Sequence, residues 1–92
     1  MAKVPENSRT EGYAQFDPRA TEAFVEAGLV CIRLEDGREI RFAPYVNRRL
    51  RGATPAQLAN VEIICNGTGL HWPDLDEDLS ILGILEGRLG PS

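Results

Sequence analysis

The sequence predicts a small α+β domain: a mostly antiparallel sheet of two β-hairpins, with a short helical connection between them and a short C-terminal helix. Three observations carry this. Apolar residues recur at every second position, with Val30, Ile32 and Leu34 and then Ile40 and Phe42 on one face, and again with Val61 and Ile63 and then Leu70 and Trp72. Asp36-Gly37 and Asn66-Gly67 stand between the members of each pair, where hairpin turns belong. At 92 residues, 42% of them apolar, the chain can build one core and no second domain, because a domain of this size buries roughly 60–65% of its unfolded surface.

Residues 1–18 are largely polar, short of large apolar groups except Tyr13 and Phe16, and carry Pro5 and Pro18, so a disordered N-terminal tail is expected, followed by a single domain over 19–87. Residues 19–28 admit two readings. Asp17-Pro18 resembles a helix cap and first turn, Ala20, Ala23, Phe24 and Ala27 share a helical face, and Gly28 could end it. The competing reading is a strand over Thr21–Glu26 turning at Ala27-Gly28; the local pattern alone favours the helix.

In the first hairpin Val30, Ile32 and Leu34 share one face, with Cys31, Arg33 and Glu35 on the other. A two-residue Asp36-Gly37 loop would set Leu34 across from Glu39. A three-residue loop, Glu35-Asp36-Gly37, pairs Ile32 with Ile40 and Val30 with Phe42 and keeps one apolar face, with Gly37 left-handed. After Pro44, Val46 and Leu50 lie one helical turn apart within Tyr45–Arg51, a short amphipathic helix ended by Gly52. Thr54-Pro55 then caps a second helical turn through Ala59. Around Asn66-Gly67 a two-residue loop pairs Cys65 with Thr68, Ile63 with Leu70 and Val61 with Trp72, leaving Glu62 and His71 on the opposite face. Pro73 ends the strand. The acidic run Asp74–Asp78 follows as a loop, then a helix within Leu79–Leu85 with Ser80 near its cap. Residues 88–92 are expected to be a frayed tail. The expected core is Val30, Ile32, Leu34, Ile40, Phe42, Val46, Leu50, Leu58, Val61, Ile63, Leu70, Trp72, Leu82 and Leu85.

No apolar run approaches the ~18–20 residues a membrane-spanning helix needs, and the opening MAKVPENSRTEG has no signal core, so a soluble, cytoplasmic protein is expected. Cys31 and Cys65 lie in strand-like runs and are read as reduced and buried or half-buried. The net charge of −4 hides an asymmetry: residues 1–55 carry nine basic and eight acidic side chains, residues 56–92 one basic and six acidic. The C-terminal part therefore repels nucleic acid.

The string GTGLHWPDLDEDLSILGIL at Gly67–Leu85, preceded by ATPAQLANVEII at Ala53–Ile64 and LEDGREI at Leu34–Ile40, resembles the bacterial domain-of-unknown-function family DUF2442 over roughly Glu22–Gly87. HWPDLDEDLS at His71–Ser80 is the most distinctive piece. The resemblance implies a small α+β domain with no assigned enzyme activity, encoded beside a second small protein in arrangements suggestive of toxin–antitoxin pairs. Some relatives carry an added helix-turn-helix domain; this sequence ends at Ser92 without room for one, so DNA recognition by that route is not expected. Family members begin with two paired strands, which selects the strand reading of Thr21–Glu26.

The chemistry-bearing residues have structural and functional readings. His71 could act as a base or ligand among carboxylates, or pair with Glu62 across strands and order the acidic turn; the second is favoured. Asp74, Asp76 and Asp78 alternate as in calcium loops, but Leu79 and Leu85 stand where that loop needs Gly and Glu, so capping and pairing with Arg48, Arg49 or Arg51 is favoured. Those three arginines with Tyr45 are the only dense basic patch and could hold a phosphate backbone or an acidic partner. Trp72 reads as core at an edge of the sheet. Two cysteines and one histidine make no four-ligand zinc set, and Gly67-x-Gly69 is a turn, not a phosphate loop.

The expected function is a non-enzymatic protein-interaction module, antitoxin-like or accessory in a two-protein system. Its candidate contact residues are Arg48, Arg49, Arg51, His71, Trp72, Asp74, Asp76, Glu77 and Asp78, with no catalytic residue, metal or cofactor. A small protein encoded nearby is the expected partner, and a homo-oligomer through a sheet edge is a second expectation; nucleic acid and membrane are not expected. The alternatives are a nucleic-acid-binding accessory protein using Arg48, Arg49 and Arg51, and a metal or ligand site around His71 and Asp74.

Overall fold

The computed structural model describes residues 18–89, in which the expected N-terminal strand joins the first hairpin and the second hairpin acquires a third strand that the sequence did not show. Strands β1 (Ala20–Glu26), β2 (Leu29–Leu34) and β3 (Glu39–Phe42) form one antiparallel sheet in that order. A second, antiparallel in the order β4-β5-β6, comprises β4 (Glu62–Ile64), β5 (Gly69–Trp72) and β6 (Glu77–Ser80). A 3-10 turn at Pro44–Val46 and helices α1 (Arg48–Arg51) and α2 (Pro55–Ala59) connect them, and α3 (Ile81–Leu85) follows β6. The α+β class and the antiparallel pairing stand as expected, with the sheet divided in two.

The ambiguous N-terminal stretch is a strand. β1 pairs with β2 from Ala20↔Leu34 to Glu26↔Leu29, and the intervening Ala27 and Gly28 have φ of 54° and 78°, the two left-handed residues of a turn whose twist suits paired strands. The register slips at Thr21, between the Ala20 and Glu22 pairs. That bulge turns Ala20 into the core while Glu22 faces solvent. β2 and β3 pair Ile32 with Ile40 and Val30 with Phe42 around the three-residue loop, and Gly37 has φ of 95°, as the single-face argument requires.

The predicted helix Tyr45–Arg51 is broken at Asn47, whose extended backbone (φ −124°, ψ 131°) ends the 3-10 turn and caps α1. Its side-chain oxygen accepts from the Arg49 and Leu50 N–H groups, an alternative to continuous helix that asparagine offers readily. α2 carries a full capping box, with Gln57 N–H donating to Thr54 Oγ1 and Thr54 N–H to Gln57 Oε1.

In the second sheet, Glu62 pairs with His71, Ile63 with Leu70 and Ile64 with Gly69, the expected register, with Val61 just before the paired stretch. The turn is longer than expected, since Cys65 and Thr68 are not strand partners and Cys65–Gly67 form a 3-10 turn in which Cys65, Asn66 and Gly67 are all left-handed. The acidic run is not a loop leading into a helix. Its second half is β6, which pairs Trp72 with Glu77, His71 with Asp78 and Leu70 with Leu79. β5 is therefore a central strand, and Trp72 lies in the middle of the sheet, not at its edge.

The core joins Ala20, Val30, Ile32 and Leu34 to Leu50, Leu58, Leu70, Trp72, Leu79, Ile81 and Ile84. Ile40, Phe42 and Val61 pack against it half-buried, and Val46 is half-buried. Three expected core members are instead at the surface: Ile63 on an edge strand, and Leu82 and Leu85 on the outer side of α3. Ala20, Leu79, Ile81 and Ile84 take the places they were expected to fill. Cys31 is buried, whereas Cys65, expected to be buried or half-buried, is exposed in the turn.

Of the N-terminal tail only Pro18 is described; residues 1–17 and 90–92 lie outside the described residues. Arg88 and Leu89, assigned by sequence to the C-terminal tail, fold back on the domain: Arg88 N–H donates to the Gly83 carbonyl, and Leu89 packs on the core.

Trp72 is fully enclosed and its indole N–H donates to the Leu58 carbonyl at 3.1 Å, tying α2 to the central strand. Trp72→Ala should cost about 3–5 kcal/mol in urea unfolding, whereas Trp72→Phe, which loses the hydrogen bond but keeps a ring, should cost clearly less. Near-wild-type stability of the alanine variant would contradict this packing.

Candidate functional site

The outer face of the second sheet carries a row of ionisable groups. Because side chains opposite one another in register share a face, Glu62 on β4, His71 on β5 and Asp78 on β6 lie side by side. His71 Nδ1–H donates to Asp78 Oδ1. This hydrogen bond, then the charges of Asp78, Glu62 and Asp76, raise the imidazole above its ordinary value near 6.5, against an opposing desolvation. The arrangement favours an imidazolium.

The rest of the acidic run divides among different partners. Asp74 accepts from Asn60 Nδ2 at 3.0 Å, and Asp76 takes the left-handed conformation (φ 53°) in the turn before β6. Glu77 points inward and is buried. Its Oε2 accepts from Asn47 Nδ2 at 2.7 Å, its Oε1 accepts from the Asp78 N–H at 3.2 Å, and Arg49 Nε stands 3.9 Å from Oε1. The two sides of the β6 backbone thus separate the acidic side chains instead of gathering them. Among the described residues no group of three or more His, Cys, Asp or Glu is placed to hold a metal ion.

The arginine patch is divided as well: Arg49 faces Glu77, Arg51 Nε donates to the Tyr45 carbonyl at 3.1 Å, and Arg48 is exposed. Trp72, a candidate contact residue in the sequence, is wholly buried and cannot meet a partner in the folded domain. Glu77 is withdrawn from the surface for the same reason.

The sequence missed one charged surface and several exposed apolar side chains. On the outer face of the first sheet Arg33 pairs with Glu22 at 2.8 Å and Glu39 at 3.2 Å, and Arg41 with Glu39 at 2.7 Å and Glu26 at 3.5 Å. Arg33 also lies over the Phe24 ring, 5.2 Å from its centroid. The period-two spacing of these charges in β1–β3 was the available signal. Beyond that surface, four large apolar side chains are exposed: Tyr45, Leu82, Ile63 and Leu85, at 68%, 44%, 37% and 37%. Periodicity gave no warning of Ile63, Leu82 and Leu85, which look like core.

Residues 21–90 match the family described as "Protein of unknown function (DUF2442)". The chain belongs to the DUF2442 family. Two solved structures are similar to this DUF2442 domain. One is a crystal structure of a protein of unknown function from Rhodospirillum rubrum, 40% identical, with a TM-score of 0.76 over 82% of this chain and 93% of that one. The other is a solution NMR structure of an uncharacterized protein from Chromobacterium violaceum, 32% identical, with a TM-score of 0.76 over 89% of this chain and 77% of that one. No curated protein matches the chain. Among the described residues no helix is long and apolar enough to cross a membrane.

The raised His71 value has a consequence for stability. A histidine whose folded value exceeds its unfolded one stabilises the fold fully below the unfolded value and loses that contribution as pH rises through the folded value. The DUF2442 domain should therefore lose some stability as pH climbs above about 6.5. In NMR titration the single histidine should show a midpoint above its ordinary value, and Asp78→Asn should lower it and flatten the pH dependence. An unchanged midpoint in the variant would exclude Asp78 as the cause.

Proposed function

We propose that this protein is a non-enzymatic protein-interaction module, the antitoxin-like or accessory member of a two-protein bacterial system, whose partner binds the outer face of α3. The observation that supports this reading is the composition of α3 against its burial. Ile81, Leu82, Ile84 and Leu85 make the helix apolar all round, yet only Ile81, Gly83 and Ile84 are buried. A helix apolar on every side belongs in an interior, and Leu82 and Leu85, one turn apart, present an apolar face that no other described residue covers. The partner is accordingly a protein with an apolar patch of its own. The neighbouring-gene arrangement of the family makes the adjacent small protein the candidate.

The charged surface supports the same reading from the other side. Arg33, Arg41 and His71 are engaged with carboxylates on other strands of this chain, an arrangement suited to holding strands in register.

The test is co-expression with the adjacent gene product, followed by purification and calorimetry. A one-to-one complex should form, and the double substitution Leu82→Glu with Leu85→Glu should weaken it by about two orders of magnitude while the domain stays folded. Failure to bind the neighbour, or unchanged binding by the double variant, would overturn the proposal.

A further inference from the structure

We infer that the protein self-associates through β3, which pairs antiparallel with β3 of a second copy about a two-fold axis at Ile40 and joins two three-stranded sheets into one of six. β3 is the edge of its sheet: among the described residues it pairs with β2 alone. Its four residues, Glu-Ile-Arg-Phe, alternate exposed and half-buried. Open edges of this kind are templates for another strand.

The hydrogen-bond parity of the strand fixes the register. Leu34 N–H donates to the Arg38 carbonyl at 2.8 Å, and the pairs Leu34/Arg38, Ile32/Ile40 and Val30/Phe42 follow at every second residue. In an antiparallel ladder the residues of such pairs direct their N–H and C=O at each other. Arg38, Ile40 and Phe42 therefore face β2, and Glu39 and Arg41 direct their backbone groups out of the open edge. With the two-fold axis at Ile40, Glu39 lies opposite Arg41 of the second copy and Arg41 opposite its Glu39. Each outward N–H then meets an outward C=O, four bonds in all by this pairing rule.

The side chains agree with that register. Glu39 against Arg41 places opposite charges across the new strand pair, twice by symmetry, and Ile40 meets Ile40 on the core side. An axis at Glu39 would oppose two glutamates, and one at Arg41 two arginines. A register offset by one residue would set Ile40 against Arg41 on opposite faces. Only the Ile40 axis satisfies backbone and charge together. It also continues the row Glu22, Arg33, Glu39 with the Arg41 of the second copy, keeping signs alternate across the joined sheet.

This interface does not involve α3, so it stands or falls separately from the partner proposed above. The test is sedimentation equilibrium of the full chain, whose monomer is 10.1 kDa, up to ~1 mM, where a small interface of this kind is populated. The wild type should show dimer. Glu39→Arg and Arg41→Glu, each of which opposes like charges twice, should each weaken dimerisation at least tenfold by the cross-strand pairing rule, and an equimolar mixture of the two variants should recover it as a heterodimer. Should either variant fail to fold, isotope-filtered NOEs between labelled and unlabelled wild-type chains should connect Ile40 to Ile40. A wild type monomeric at that concentration, a dimer that survives either substitution, a mixture that stays monomeric, or an intermolecular contact elsewhere, such as Leu82, would overturn the assignment.

Discussion

The Asn47 side chain meets four groups at once. Its oxygen accepts from the Arg49 and Leu50 N–H groups, and its amide nitrogen donates to the Glu77 carboxylate and the Leu89 carbonyl. These partners belong to α1, to the edge strand β6 and to the C-terminal end of the described chain, 30 and 42 residues away in the last two cases. Asn47 is fully buried. A buried amide left without partners is costly, and here every donor and acceptor of the side chain is used. The same contact positions Leu50 in the core, gives the inward Glu77 a neutral donor, and fixes the segment after α3 against the connection. The two sheets are held in one domain by apolar packing, but this polar junction specifies how the connection and the C-terminus are set.

Around that junction the outside of the fold is organised by cross-strand charge. Arg33 and Arg41 hold the first sheet's outer face through Glu22, Glu26 and Glu39, and the Glu39 carboxyl lies below its usual range because of Arg41 first and Arg33 next. On the second sheet His71 and Asp78 do the corresponding work. Exposed pairs of this sort contribute little stability one by one, and their effect is on register and on which edges can accept another strand. The features that remain unabsorbed are the apolar outer side of α3 and the open edge of β3, and both are suited to contact with other chains.

Much of this was legible in the sequence, and the losses have physical causes. The pairing of Ile32 with Ile40 followed from keeping one apolar face, and the Asn66-Gly67 hairpin followed from its turn residues. The segment Ala20–Glu26 was read against its own local pattern, which suits a helix; pairing with β2 decides it, since strand formation depends on a partner that local spacing does not show. β6 was hidden because its inward residues are Glu77 and Leu79, and a buried acid does not register as a core position. Asn47 was unreadable for the related reason that its acceptors lie far along the chain. In α3, four apolar side chains leave nothing local to tell Ile81 and Ile84, which are buried, from Leu82 and Leu85, which are not. The candidate site fared accordingly: His71 was placed opposite Glu62, as the register has it, but its hydrogen-bond partner Asp78 was assigned to capping, and Trp72 and Glu77 were assigned to a surface they do not reach.

The most direct test of this account is the urea unfolding free energy of Asn47→Asp at neutral pH. Aspartate caps a helix as well as asparagine does, so a residue that only capped α1 would lose almost nothing. If the amide nitrogen joins Glu77 and the Leu89 carbonyl as described, the substitution removes both donors and sets a second carboxylate against a buried one, and the loss should be about 3 kcal/mol or more. Wild-type stability in that variant would contradict the central place given to Asn47.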